Sequence, residues 1–219
     1  MLPQHRAARF QWAQNHLQWQ NFNWENCFFS DETKINLYHS DGRQTVWRGN
    51  NERFVEANMA PQEAFGGGGL MVWGGIIRNG KSELFITRGS INAQVYRDFC
   101  INDIVVPFAE NFGNNMIYVD DNARPHRAAI VTNALNLNNI TSLHLPAKSP
   151  DLNPIEHTWS NLKLRIRKRE NPPQTIAQLE AAIREEWDNI PQNFINTLID
   201  SMPRRCRMVV NRRGGPTKY

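Results

Sequence analysis

Cysteine is scarce in this 219-residue chain, and the few present form no pattern. Cys27, Cys100 and Cys206 are odd in number, stand far apart and make no Cys-x-x-Cys pair. That argues against a disulfide-built scaffold or a cysteine zinc site, and makes a reducing compartment the expected setting. Long hydrophobic runs are also missing. Nothing approaches the ~18 apolar residues of a membrane span, and residues 1–12 hold no apolar signal core. Internal repeats are lacking, and the histidines show no ligand spacing, so zinc is not expected. What the chain does have is 40% hydrophobic residues, with seven Trp and eleven Phe, enough to fill a sizeable core and exclude wholesale disorder. At ~150 residues per domain, the length suits one domain with appendages or two small ones.

The net charge of +4 is unevenly spread. Residues 1–159 carry 13 Lys and Arg against 15 Asp and Glu, whereas residues 160–219 carry 12 against 6. A near-neutral body with a basic tail is common in nucleic-acid-binding proteins, and also in many proteins that bind none.

Periodicity predicts a helix over residues 4–20, with Phe10, Ala13 and Leu17 on one face and Trp12, His16 and Trp19 on another. A strand is expected at 26–31, then a hairpin of 34–39 and 44–48 around Asp41-Gly42. Residues 49–69 end in four glycines and read as a long loop, a length that is uncommon without a function. Strands follow at 70–77, 83–87, 116–121 and 140–145, with helices at 92–111 and 125–136 between them. After the Pro-rich stretch 146–154, a helix runs to about Arg169, with Pro154 in its first turn. Thr175 caps the next helix with Gln178 in the capping-box position, and Ile176, Leu179, Ile183 and Trp187 form its apolar stripe. One more helix is expected after Pro191, then a basic tail. This order predicts an α/β fold with one central mixed sheet.

Residues 75–82, Gly-Ile-Ile-Arg-Asn-Gly-Lys-Ser, match the phosphate-binding pattern G-x-x-x-x-G-K-[ST] letter for letter. That chemistry needs a helix N-terminus directly after the loop. Here a β pattern follows, and Asn79-Gly80 is a preferred hairpin turn, so a plain hairpin is expected.

Three carboxylates fall where secondary structure would deliver them to one edge. Cys27, Phe29 and Asp31 share a strand face, as do Ile117, Val119 and Asp121; alternation thus selects Asp31 over Glu32, and Asp121 over Asp120, for the core-side row. Glu156 lies in the first turn of the helix after Pro154, beside the apolar stripe Ile155, Trp159, Leu162 and Ile166. Clustered carboxylates repel unless a cation sits between them, and all-oxygen donors suit Mg²⁺ or Mn²⁺. Two such ions ~4 Å apart can clamp both oxygens of an in-line phosphodiester displacement. Strand ends and helix N-termini also favour Asp and Glu without any metal, so spacing alone leaves both readings open.

Four strings carry a resemblance. Phe29-Ser30-Asp31-Glu32, Val72-Trp73-Gly74, Asp121-Asn122-Ala123-Arg124-Pro125-His126 and Ser149-Pro150-Asp151-Leu152-Asn153-Pro154-Ile155-Glu156 resemble the catalytic domain of Tc/mariner transposases. The 34 residues between Asp121 and Glu156 match the Tc-like spacing, and the similarity runs from about Arg6 to Tyr219. It implies an RNase H-like mixed sheet flanked by helices, with a DDE triad of Asp31, Asp121 and Glu156 holding Mg²⁺, or Mn²⁺ in its place, as two ions. It implies a connecting helix at 1–24, a catalytic domain at 25–170 with a clamp-like insertion at 34–69, and C-terminal helices and basic tail at 171–219. The chemistry implied is cleavage of DNA at transposon ends and attack of the freed 3′-hydroxyl on target DNA, in a homodimer joined through the clamp, in the nucleus. The family carries two helix-turn-helix modules ahead of this domain. The present sequence begins at the connecting helix, so the reader of transposon ends is expected outside these 219 residues. Two other readings remain: a catalytically silent descendant that binds DNA or a partner transposase, and a different RNase H-like nuclease.

Around the triad, Asn122 and His126 match motif positions and read either as catalytic groups or as ordinary loop and helix-start residues. His157 projects about 100° from Glu156 and reads as a supporting residue at most. Lys163 and Arg167 continue the Glu156 stripe seven and eleven residues on, where they would hold DNA phosphates or simply be solvated. With Arg165, Lys168 and Arg169 they also form a basic run suited to DNA contact or nuclear import. Arg204, Arg205, Arg207, Arg212 and Arg213 are candidates for tracking a nucleic-acid backbone. The tryptophans of the first helix are expected to pack inward rather than stack on bases.

Overall fold

A computed structural model describes residues 1–38, 68–113 and 115–219 of the chain. Helices α1 (Pro3–Asn15) and α2 (Asn21–Glu25) lead into the central strand β1 (Cys27–Asn36). Strand β1 pairs antiparallel with β2 (Gly69–Ile77), whose far edge carries β3 (Gly80–Lys81) and β4 (Phe85–Thr87). Its other edge pairs parallel with β5 (Ile117–Asp120), and β5 pairs parallel with β6 (Thr141–His144). The sheet order is therefore β3-β2-β1-β5-β6, with β4 also on β2. This is the mixed sheet that the alternation of elements predicts.

Both faces of the sheet are covered, which explains why Cys27, Phe28 and Phe29 form an unbroken apolar run. Phe29 and Val119 join one core with α6 (Ile155–Arg167), α7 (Ile176–Asp188), α8 (Gln192–Asp200) and α9 (Met202–Asn211). Phe28 and Tyr118 join the other, under α5 (Ala129–Leu137) and a helical segment made of α3 (Ala93–Val95), a π-helical stretch (Tyr96–Val105) and α4 (Val106–Phe112). Gly74 and Gly75 let the helices and strands approach. A Cβ at Gly75 would lie 2.0 Å from the Phe28 ring, and one at Gly74 would meet Leu84 at 2.7 Å and Trp159 at 3.2 Å.

Several expectations need correcting. Strand β1 extends well past residue 31, because Lys34, Ile35 and Asn36 pair with Met71, Leu70 and Gly69. Residues 34–36 and Gly69, all assigned to the clamp, are thus sheet, and residues 39–67, with the turn at Asp41-Gly42, lie outside the described residues. Helix α1 stops at Asn15, leaving Leu17 39% exposed, and the helix expected after Pro191 is two, broken at Ser201 ahead of Pro203. The phosphate-loop look-alike is a hairpin, with Asn79 at a φ of 66° in its turn. Lys81 gives its ammonium to the carbonyls of Trp187, Asp188 and Ile190 at 2.7, 2.8 and 3.1 Å, closing the C-terminal end of α7. Thr175 caps α7 as expected, accepting from the Gln178 N–H at 3.2 Å.

The basic tail is not uniformly a surface. Arg205 is 1% exposed, donates to the Asp151 carbonyl at 2.9 Å and to Ser201 Oγ at 2.8 Å, and lies 4.3 Å from the Tyr219 ring centre. Burial pulls its pKa down to about 10. It is removed from the backbone-tracking set, while Arg204, Arg207, Arg212 and Arg213 stay exposed.

Candidate active site

Phe29 of β1 stands opposite Val119 of β5 in a parallel ladder, so two further residues along each strand path lead to Asp31 and Asp121. Both continue the row that faces α6, and the first turn of α6 brings Glu156. The turn before α6 is fastened to β1. Asn153, 3% exposed, donates from Nδ2 to the Ser30 carbonyl at 3.2 Å, the residue next to Asp31. Ser30 itself donates to the Val119 carbonyl at 2.9 Å, locking β1 to β5 just below the acids.

Electrostatics join the three carboxylates. Burial pushes the Asp31 pKa well above the carboxylate range, and the charges of Glu156, Glu32 and Asp121 add to it. Burial also raises Glu156, against the pull of the Lys163 ammonium. Buried, mutually repelling oxygen donors of this kind fit a hard divalent cation. Among the described residues, no three such side chains are already closed into a metal cluster.

Alternation chose the correct face for Asp121 but misjudged its burial. Asp120 is the buried member, at 1% exposure, ion-paired to Arg127 and 3.4 Å from His144 Nδ1. The Asp121 side chain is 48% exposed. With both sheet faces covered, an odd-even pattern separates the faces without saying which is inside. Asn122 then turns the chain with a φ of 65°, a conformation asparagine tolerates, and the Ala123 N–H donates to Asp121 Oδ1 at 2.9 Å.

That turn swings His126 back between the strands. Its Nε2 is 3.0 Å from Glu32 Oε1, and its Nδ1 is 2.9 Å from Asp121 Oδ1, close but poorly aligned for a hydrogen bond. Burial opposes the charged ring, yet Asp121 and Glu32 prevail and lift the His126 pKa to about 10. The same imidazolium holds Asp121 below its usual range despite partial burial. Glu32, set aside by alternation, is thus coupled to the site through a residue 94 positions away.

The basic candidates divide. Lys163 and Arg167 line a cleft of 150 Å³ with Lys34, Asn36, Pro172 and Pro173. Burial lowers the Lys163 pKa, with Glu156 acting the other way. Arg165 is elsewhere, bonded through Nε to Glu186 at 2.9 Å, and Arg169 pairs with Glu185 and Glu186, each at 2.7 Å. These bridges sew α6 to α7. Lys168 is exposed at the end of α6 and outside the cleft.

Residues 26–180 match the family model described as a DDE superfamily endonuclease. The chain is 37% identical over 216 residues to the Tcb1 transposase of Caenorhabditis briggsae and 35% identical over 217 to the Tc1 transposase of Caenorhabditis elegans, covering 98% of itself and 78% of each. It belongs to the DDE endonucleases of the Tc/mariner transposase family. The fold agrees. The Mos1 mariner transposase catalytic domain superposes with a TM-score of 0.76 at 16% identity, over 100% of this chain and 98% of that one. A Mos1 paired-end complex with the left transposon end gives 0.79 at 18% identity, covering 98% of this chain and 63% of that one. The sheet is therefore RNase H-like, as the four DDE-family strings imply.

Proposed function

We propose that this chain is the catalytic unit of a DNA transposase, with Asp31, Asp121 and Glu156 holding two divalent ions, Mg²⁺ or Mn²⁺. The substrate is a DNA phosphodiester at a transposon end, and the freed 3′-hydroxyl is then joined to target DNA. The observation that carries this reading is the set of three charge-coupled carboxylates in the middle of β1, just beyond β5 and in the first turn of α6. When bound, two such ions supply an activated nucleophile and neutralise charge at the attacking and leaving oxygens. The protein's own part is to hold the geometry. Asn153 fixes the approach of α6 to β1, and the burial of Asp31 makes the site favour a cation over its own charge.

Lys163 and Arg167 hold phosphates of the bound strand in the cleft along α6, joined by Lys34. A homodimer forms through the clamp-like insertion between β1 and β2, and the DNA substrate makes the nucleus the working compartment.

The decisive measurement is Mg²⁺-dependent nicking and strand transfer on pre-cleaved DNA. Asp121→Ala should abolish both. Equal activity in the parent and the variant sinks the assignment, and no activity in either favours a catalytically silent DNA-binding protein. For the cleft, Lys163→Ala should reduce the slope of log affinity against log salt by about 1, and Arg167→Ala likewise, while Arg165→Ala leaves it unchanged. A flat response at residue 163 would return Lys163 to a solvated helix face.

A further inference from the structure

Beside the middle of β1 and the end of β5, one imidazole touches two carboxylates from opposite faces of the sheet. His126 meets Glu32 at 3.0 Å through Nε2 and Asp121 at 2.9 Å through Nδ1. Packing holds the ring in place independently of either acid. It is 3% exposed and stacks on Tyr96, with centroids 4.1 Å apart and planes 24° apart. Tyr96 opens the π-helical stretch, and its hydroxyl is hydrogen-bonded to that of Tyr118 in the core. Such irregular helical turns often place a side chain at a functional site.

Asp121 needs such support. It lies one residue beyond β5, its side chain is half exposed, and a left-handed residue follows it. Its contacts with His126 and with the Ala123 N–H both fall on Oδ1, which leaves Oδ2 for a ligand.

We propose that Glu32 and His126 form a positioning strap that fixes the Asp121 carboxylate for metal binding, Glu32 acting through the imidazole. Neither residue touches the ion or the DNA. Carboxylate–imidazole pairs behind a metal ligand are a general means of orienting it, and losing one typically costs 10–100-fold in metal affinity. The strap rests on the metal-binding reading of Asp121, and the experiment separates the two.

Mn²⁺ alone is titrated into the full chain, with binding followed by water-proton relaxation and folding by thermal unfolding. Glu32→Gln and His126→Gln should each bind Mn²⁺ about 10–100-fold more weakly with little change in unfolding midpoint. Unchanged Mn²⁺ affinity in these variants, with Asp121→Asn impaired, overturns the strap and leaves the metal site standing. Weakening that only tracks a lowered unfolding midpoint also overturns it, since that is what a purely structural role gives. Asp121→Asn binding Mn²⁺ like the parent overturns both the strap and the reading beneath it. If His126→Gln does not fold, Glu32→Gln decides, because its partly exposed side chain keeps its shape.

Discussion

Arg9→Ala should destabilise the protein by about 3–5 kcal/mol, the usual cost of leaving one partner of a buried ion pair alone. Arg9 is 0% exposed and grips Asp151 with both arms, at 2.6 and 2.7 Å. Its remaining donors reach the carbonyls of Gly214, Lys148 and Gly215 at 3.0, 3.2 and 3.2 Å. Without it, the hydrogen-bond donors left to the Asp151 carboxylate among the described residues are the N–H and hydroxyl of Thr217, at 3.0 and 2.8 Å. For a chain of this size the melting temperature falls by on the order of 10 °C. Acid should shrink the difference. Burial alone would raise the Asp151 pKa, but Arg9 and Thr217 hold it below its ordinary value. A depressed carboxylate contributes its full stability above the unfolded value, ~3.9, and loses it as pH falls through the folded value. Urea unfolding at pH 7 and at pH 3 should therefore show a wide gap between parent and variant that narrows in acid. A gap under 1 kcal/mol at pH 7 would show that the guanidinium is not what holds this junction.

The second large effect concerns the tryptophans under the site. Trp159 and Trp187 are 1% and 2% exposed and stack with centroids 5.1 Å apart, wedging α6 and α7 against Gly74 of β2. Trp159→Ala should cost about 3–5 kcal/mol in denaturant unfolding. The phenylalanine variants should separate the two rings. Trp159 Nε1 is buried with no hydrogen-bond partner among the described residues, so Trp159→Phe removes an unsatisfied donor and offsets part of the lost packing. Trp187 Nε1 donates to the Ser82 carbonyl at 2.8 Å, so Trp187→Phe loses packing and strands an acceptor. Trp187→Phe should be the more destabilising, and the opposite order would mean that ring volume alone decides. Because Glu156 begins the helix that Trp159 anchors, Trp159→Ala should also weaken DNA cleavage.

The placement of the three acids was readable because each sits at a simple coordinate of secondary structure: the middle of β1, the residue after β5 and the first turn of α6. Period-2 alternation needs no tertiary knowledge to put Asp31 and Asp121 on one face. Glu32 was lost to the same rule, because its link to Asp121 runs through His126 around the strand ends. That path depends on the left-handed turn at Asn122, which alternation does not describe. Composition misled on Arg205, since a count of basic residues carries no record of what each one faces. Asp151 belongs to the most recognisable string in the chain and yet serves the fold, with Arg9 as its partner. Asn153, two positions on, is the string's direct tie to the neighbourhood of Asp31. The capping of α7 by Thr175 was readable because it is local. Its closure by Lys81 was not, because it joins residues more than 100 apart.

The junction at Arg9 also sets a timetable for synthesis. Two of its carbonyl partners lie 205 and 206 residues downstream, so α1 cannot dock in full until Gly214 and Gly215 have been made. At ~5–20 residues per second, the first helix emerges from the ribosome and waits on the order of tens of seconds for its seat. During that wait its inward-facing guanidinium is unpaired and the groove it will fill does not exist. The sheet and the helices around the acids can collapse first, and α1, though made before them, is among the last of these elements to be locked in place.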